Sequence, residues 1–293
     1  TGLPPLGRDA WVEVRLDAIA NNVRALKGRL PADGHLDVVL KADAYGLGAV
    51  PVARAALAAR LIPVAPWASP PAKVSTPILV YHSISAPEGN AARDAYAVSA
   101  STFAAQMADL AARDITVIRL EALVDAFAGG PPVPERAVVI TFDDGWRSQY
   151  AYAFPVLQRH RFTATFFVFT NPIGRSPRFM SWAQVPDLQR AGMTIGAHGW
   201  THPHLTTAGP RELQQEIVES RQTLERRLGT AITLFAYPFG EHPPAAEEAV
   251  RRAGYVAARG FPGGSTNDAT TRWALRAVPV PDSLAGFRSI VGR

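Results

Sequence analysis

The stretch GAHGWTHPHL, residues 196–205, carries three of the seven histidines in the chain. His198 and His202 stand four apart, which lets two imidazoles converge within one turn of chain. Neutral imidazole is a metal ligand and a proton carrier near neutral pH. On these residues alone three readings are open: a metal site, a pH switch, or side chains decorating a loop. A second group is TFDDG, 141–145, where Asp143 and Asp144 adjoin. Carboxylates this close repel each other unless a cation offsets the repulsion. His82 in LVYH and the tight turn YPFG, Tyr237–Gly240, complete the candidates. Each also has a plain structural reading. Asp144 and Gly145 can cap a helix, His82 can bond backbone, and Pro238–Gly240 can be an ordinary turn.

The elements that must position these residues follow a pattern of alternating strand and helix after residue 76. PILVYHSI reads as a strand, and SASTFAAQMADLAARD as a helix with apolar residues at 103, 107 and 110. ITVIRL, AVVITFDDG, FTATFFVF, MTIGAH and AITLFAYP read as strands. Helices are expected between them at 120–128, about 146–160, SWAQVPDLQRAG and about 210–228. The last opens on Pro210, buries Leu213, Ile217, Leu224 and Leu228, and stops at Gly229. A helix over 244–254 and two short strands, YVAAR and ALRAVPV, follow. Near-continuous apolar strands in repeated βα units mean a parallel sheet covered by helices. About seven units suggest barrel-like closure, with active residues at the C-terminal ends of strands. His82, Asp143 with Asp144, His198 and the YPFG turn all fall at such ends. That shared address favours a site over four unrelated local features.

The bulk composition limits the alternatives. The 293 residues suit one large domain, or one domain plus an appendage, and 47% hydrophobic content fits a globular chain. No apolar run is long enough to span a membrane. There is no cysteine, which excludes disulfides, thiolate metal sites and a cysteine nucleophile. The net charge of +5 favours anionic neighbours, but no long basic block or nucleic-acid motif is present. The chain opens at Thr1 and shows no signal peptide, which fits an export signal removed or never included. All three lysines, Lys27, Lys41 and Lys73, lie in the first quarter. That shift coincides with LIPVAPWASPPAKVSTP, whose five prolines read as a linker. The expected organisation is a segment 1–60, a linker 61–76 and a domain 77–293.

Before the linker, WVEVRLDAIANNVRALKGRL and LDVVLKADAYGLGA read as an incomplete βα segment. Over about residues 10–58 this resembles the N-terminus of bacterial alanine racemases, in which the lysine of a KADAYGHGA motif binds pyridoxal phosphate. Lys41 occupies that position, and Leu47 stands where the family has a histidine. One or two βα units cannot close a barrel around a cofactor, so Lys41 is read as a relic and no cofactor is expected on it.

From about 76 to 293 the motifs resemble the polysaccharide deacetylases of carbohydrate esterase family 4. Thr141–Gly145 match TFDDG in full; His198, His202 and Pro203 match H-[ST]-x-x-H-P, with Gly199 in place of the hydroxyl residue. FAYPFG stands for R-x-P-[YF]-G without its arginine. That variant, and an LxxH motif at the domain's beginning (Leu79 to His82), resemble the poly-N-acetylglucosamine deacetylase branch. The resemblance implies a distorted (β/α)7 barrel, a polymer of N-acetylglucosamine as substrate, and an extracytoplasmic location. The chemistry is sensible on its own terms. Two imidazoles and a carboxylate bind a divalent ion while leaving positions for water and substrate; Asp144, His198 and His202 are the expected ligands. Zinc comes first, with cobalt, nickel and iron also accepted by this set. Asp143 is the expected general base, His82 the acid, and the Phe239 N–H an oxyanion donor. Arg276 is a candidate to replace the missing arginine. His204 is expected to make a supporting hydrogen bond. Tyr237, Pro238, Trp146 and Trp200 are expected to line the substrate groove, and Trp182 is a further stacking candidate, although each tryptophan can equally be packing. The competing readings are a catalytically silent carbohydrate-binding protein, a racemase remnant acting through Lys41, and an iron oxygenase with the same ligand set.

Overall fold

Six consecutive apolar or small residues, AVVITF, form the buried strand β6 (Ala137–Phe142) on which the sheet is built. The computed structural model describes residues 73–86, 96–127, 130–261 and 263–292. The chain divides into two units, Thr1–Trp67 and Ala68–Arg293, and every described residue belongs to the second. The racemase-like stretch with Lys41 therefore lies outside the described residues, as does the linker up to residue 72.

Strand β2 (Ile78–Tyr81) pairs along β6, and β7 (Thr165–Val168), β8 (Thr194–Ala197), β9 (Leu234–Ala236) and β10 (Ala257–Arg259) continue the sheet in order. All of these pairings are parallel. The short β12 (Val278–Pro279) pairs with the outer side of β2, and β5 (Thr116–Ile118) lies along the first half of β6; β1 (Val74–Ser75) with β11 (Thr266–Asn267), and β3 (Ile84–Ser85) with β4 (Val98–Ser99), form two small separate ladders. Leu275 bridges to Arg259 at the opposite edge of the sheet. Residues 275–279 thus touch both edges, and the sheet curves into the expected (β/α)7-type distorted barrel.

The period-2 alternation of strand side chains divides the strands between two cores. Leu79, Tyr81, Ile140, Phe142, Phe166 and Phe235 pack with helix residues such as Phe103, Leu157, Leu188, Leu224 and Val250. Ile78, Val80, Val139, Phe167, Leu234 and Ala236 form the second core with Leu120, Leu123 and Val124 of α2 (Leu120–Phe127). Each fully buried large apolar side chain contributes roughly 1.5–3 kcal/mol.

The outer helices are α1 (Ala100–Ala112), α3 (Phe154–His160), α4 (Gln184–Arg190), α5 (Pro210–Leu213), α6 (Ser220–Leu228) and α7 (Pro244–Arg252). Two expected helices are interrupted by wide turns. Gln149–Ala153 precedes α3, and Gln214–Glu219 separates α5 from α6. A wide turn inserts a residue and re-aims side chains, commonly at functional sites. A final helix, α8 (Leu284–Val291), had no counterpart in the sequence reading. The Ser283 hydroxyl caps it by accepting from the Gly286 N–H, and Phe287 is fully buried.

Candidate active site

The strand ends converge. Asp144 follows β6 in left-handed backbone, φ 75°, and Gly145 continues it at φ 82°. His202 (φ 66°) and Phe239 (φ 56°) share that conformation. Among the described residues five non-glycine residues have positive φ, and these three belong to the site while Asp114 and Arg161 close helices. Strained backbone held in place by its surroundings is common where side chains must be aimed.

Asp144 Oδ1 lies 3.6 Å from His198 Nε2 and 3.5 Å from His202 Nε2. A tetrahedral ion with bonds of about 2.0–2.1 Å sets its ligand atoms about 3.3 Å apart, so the three groups fit one cation. One ligand atom from each lies within 4.8 Å of the others. The supports are in place as well. His198 Nδ1 is 2.7 Å from the Ala236 carbonyl, which fixes the tautomer and leaves Nε2 turned to the ion site. The Trp146 indole N–H donates to Asp144 Oδ2 at 2.8 Å, so Trp146 orients a ligand besides stacking on Phe179. Burial alone would raise the Asp144 pKa, but His198, His82 and His202 reverse this and hold it far below the carboxylate range. Burial, then the charge of His198, lowers His202 to about 4. Burial also opposes charge on His198, yet Asp143 and Asp144 outweigh it and raise its pKa.

Asp143 is buried beside the ligands, and its partner is Arg259. Arg259 Nη2 is 2.5 Å from both Asp143 carboxylate oxygens. The guanidinium is fully buried, lies over Phe167 at 5.3 Å, and donates to the Gly260 carbonyl. Burial would raise the Asp143 pKa, but Arg259, then His198 and His82, bring it below the ordinary carboxylate value. His82 Nε2 stands 3.8 Å from Asp143 Oδ2. Tyr96 stacks on the His82 ring at 4.9 Å, and Phe261 meets it edge-on at 6.2 Å. Gln149, carried inward by the first wide turn, donates to the His82 and Asp143 carbonyls at 3.0 and 2.5 Å. It ties the ends of β2 and β6 together.

Three expectations change. Arg276 is exposed, because Leu275 and Ala277 on either side of it point into the core. Arg259 holds the position expected of it; YVAAR ends on an arginine at a strand terminus, which was the available signal. The Tyr237 ring is buried against Phe235 rather than lining a groove. Strand parity explains this, since Leu234 and Ala236 occupy one core while Phe235 and Tyr237 occupy the other. Pro238 is buried under the same turn, and Phe239 is 52% exposed with its ring on His202 (4.5 Å) and His204 (4.0 Å). His204 Nδ1 is 3.0 Å from Glu241 and away from the ligand set.

Glu216 went unnoticed in the sequence. The second wide turn points its buried carboxylate at the loop between the two histidines. It accepts from the Trp200 N–H at 2.6 Å, from the Thr201 N–H at 3.0 Å and from the Thr201 hydroxyl at 2.6 Å. A Cβ at Gly199 (φ 88°) would lie 2.7 Å from Glu216 Oε2, so the glycine replacing the usual hydroxyl residue makes room for this anchor.

Residues 130–258 match the family model described as polysaccharide deacetylase. Residues 14–121 match the alanine racemase N-terminal domain; of that range, β2 and β5 belong to the sheet described above. YxkH of Bacillus subtilis (strain 168), assigned by name to the polysaccharide deacetylases, is 29% identical over 217 residues, 74% of each chain. The poly-beta-1,6-N-acetyl-D-glucosamine N-deacetylase of Escherichia coli K12 is 24% identical over 200 residues, covering 54% of this chain and 30% of that protein. The solved structure of Streptococcus pyogenes deacetylase PplD in complex with acetate has a TM-score of 0.67 at 24% identity. It covers 73% of this chain and 95% of that one, and so shares the fold. Residues 130–258, which carry the aspartates and both ligand histidines, thus match the polysaccharide deacetylase model and sit in a barrel shared with solved deacetylases, with a stretch similar to the N-terminal domain of alanine racemases on their N-terminal side.

Proposed function

We propose that the protein is a metal-dependent hydrolase that removes N-acetyl groups from polymers containing N-acetylglucosamine. One observation carries the reading. The triad of Asp144, His198 and His202 stands beside a second buried aspartate that an arginine keeps ionised. A binding protein needs no spare base.

A divalent ion held by Asp144, His198 and His202 would polarise the acetamide oxygen and acidify a water. Asp143, kept in its anionic form by Arg259, takes the proton of the attacking water. His82, braced by Tyr96 and Phe261, gives a proton to the departing amine. The N–H of Phe239, at the turn ending β9, stabilises the oxyanion; one such donor is typically worth ~3–4 kcal/mol in the barrier. Trp200, half-buried on the ligand loop, and Trp146 face the polymer. Zinc, cobalt, nickel and iron all accept this ligand set. Glucosamine polymers of this type lie outside the cytoplasm, which makes the location extracytoplasmic. Among the described residues no helix is long and apolar enough to cross a membrane.

The test is acetate release from N-acetylglucosamine oligomers, with the metal-loaded protein and after chelation. Release that stops on chelation and returns with metal is the expected result. Binding without release in the metal-loaded protein identifies a silent carbohydrate-binding domain instead. Oxygen consumption with ferrous ion identifies an oxygenase.

A further inference from the structure

A cavity of about 440 Å³ opens beside the ligand loop, with Trp200 as part of its wall. Its size suits a sugar unit. Thr170 and Asn171, which follow β7, bond the loop directly: the Thr170 N–H donates to the Gly199 carbonyl and the Asn171 N–H to that of Trp200. The cavity and the metal ligands therefore share one rigid wall. Trp182 and Trp200 supply flat apolar faces, and Arg175, Arg226 and Arg227 supply charge. Among the described residues none of these three arginines has an ion pair, and the only carboxylate lining the cavity is Glu219. Arg227 lies over the Trp182 ring at 5.0 Å, which holds its planar fork at the cavity edge. Thr170 forms part of the cavity wall, and its hydroxyl is buried without a hydrogen-bond partner. Buried hydroxyls are normally satisfied. Arg175 also lines a second cavity of about 410 Å³ with Arg147, so the basic lining continues beyond the first.

We propose that this cavity is a subsite for an acidic sugar unit, one bearing a carboxylate or a phosphate, on the polymer whose acetamide is hydrolysed. The proposal rests on the deacetylase reading and narrows its substrate class. A neutral glycan satisfies the indole faces but leaves three guanidinium groups without a counter-charge. Guanidinium forks pair with either anion in bidentate fashion.

Calorimetric titration of the metal-loaded protein tests it. The ligands are short neutral N-acetylglucosamine oligomers, the same oligomers with a lactyl carboxylate on alternate units, and the same with a phosphate ester. At least one acidic series is expected to bind ten times or more tightly than the neutral one, with the difference shrinking as salt rises; which series does so identifies the anion. The double variant Arg226→Ala/Arg227→Ala should bring the acidic and neutral affinities together. Both side chains are exposed, and a melting curve confirms that the variant folds. Equal binding of all three series by the unaltered protein, or a difference that survives in the double variant, overturns the subsite. Acetate release from the neutral oligomer reads the deacetylase assignment separately. Release without acidic preference removes only the subsite, whereas acidic preference without release from any series removes only the hydrolase.

Discussion

Asp143 is useful as a base only while ionised, and burial works against that. Arg259 settles the contest, so Arg259→Met should raise the Asp143 pKa and move the acid limb of the kcat/KM profile to higher pH. The direction follows because a carboxyl with a raised pKa stays protonated, and inactive, to higher pH. The same variant leaves a buried charge without its partner, and should lower stability by about 3–5 kcal/mol, read as an earlier urea midpoint. Asp143→Asn keeps the three ligands and should keep bound metal, measured by emission spectroscopy, while turnover falls about 100- to 10,000-fold. Retention of most activity removes Asp143 as base. The aspartates and histidines were legible because strand ends have one address in this fold. The arginine was misplaced because that rule gives the address but not the parity: Arg276 sits between two inward residues and must point out, whereas Arg259 closes its strand pointing in.

Elements were legible where periodicity is strong, and less so where one extra residue changes the outcome. The region 210–228 has the expected apolar stripe, but the widening at Gln214–Glu219 leaves that stripe intact while turning Glu216 toward the histidine loop. A hydrophobic pattern cannot signal such an insertion. Glu216→Gln replaces one acceptor oxygen with a donor beside two N–H groups, and supporting changes of this kind typically reduce metal affinity 10- to 100-fold. Competition with a chelator measures it. Gly199→Ser, which restores the residue usual in the motif, should be harmful for the same reason, since the new Cβ meets that carboxylate. The unforeseen α8 is tied to α1 by Arg288, whose Nη2 and Nε lie 2.6 and 2.8 Å from Asp109 Oδ1. The hydrogen bond from Arg288 lowers the Asp109 pKa. A lowered carboxyl pKa stabilises the fold above the unfolded value, ~3.9, and that contribution is lost as pH falls through the folded value. Arg288→Ala should therefore lower the urea midpoint at pH 7, with the difference fading at pH 3.

On the scale of the whole domain, a cation on the triad would link metal binding to folding. At a hundred times its dissociation constant a cation adds about 2.7 kcal/mol to stability, so a calorimetric scan with and without chelator should show a lower melting temperature for the stripped protein. No change would mean that the triad holds no ion. The barrel and its closure were legible as a repeat of about seven βα units; the pairing that closes it was not, because Leu275 bridges β10 while β12 pairs with β2, and a strand pattern does not say which edge it joins. The bond from Arg259 to Asp143 crosses the mouth of this barrel, from an edge strand to one near its middle. During synthesis the base is present once residue 143 has emerged, and the ligands once residue 202 has, yet the group that ionises the base arrives only with residue 259. On the proposed reading, a nascent chain therefore owns every ligand before its base is held ionised, and hydrolysis would begin only after β10 has joined the sheet.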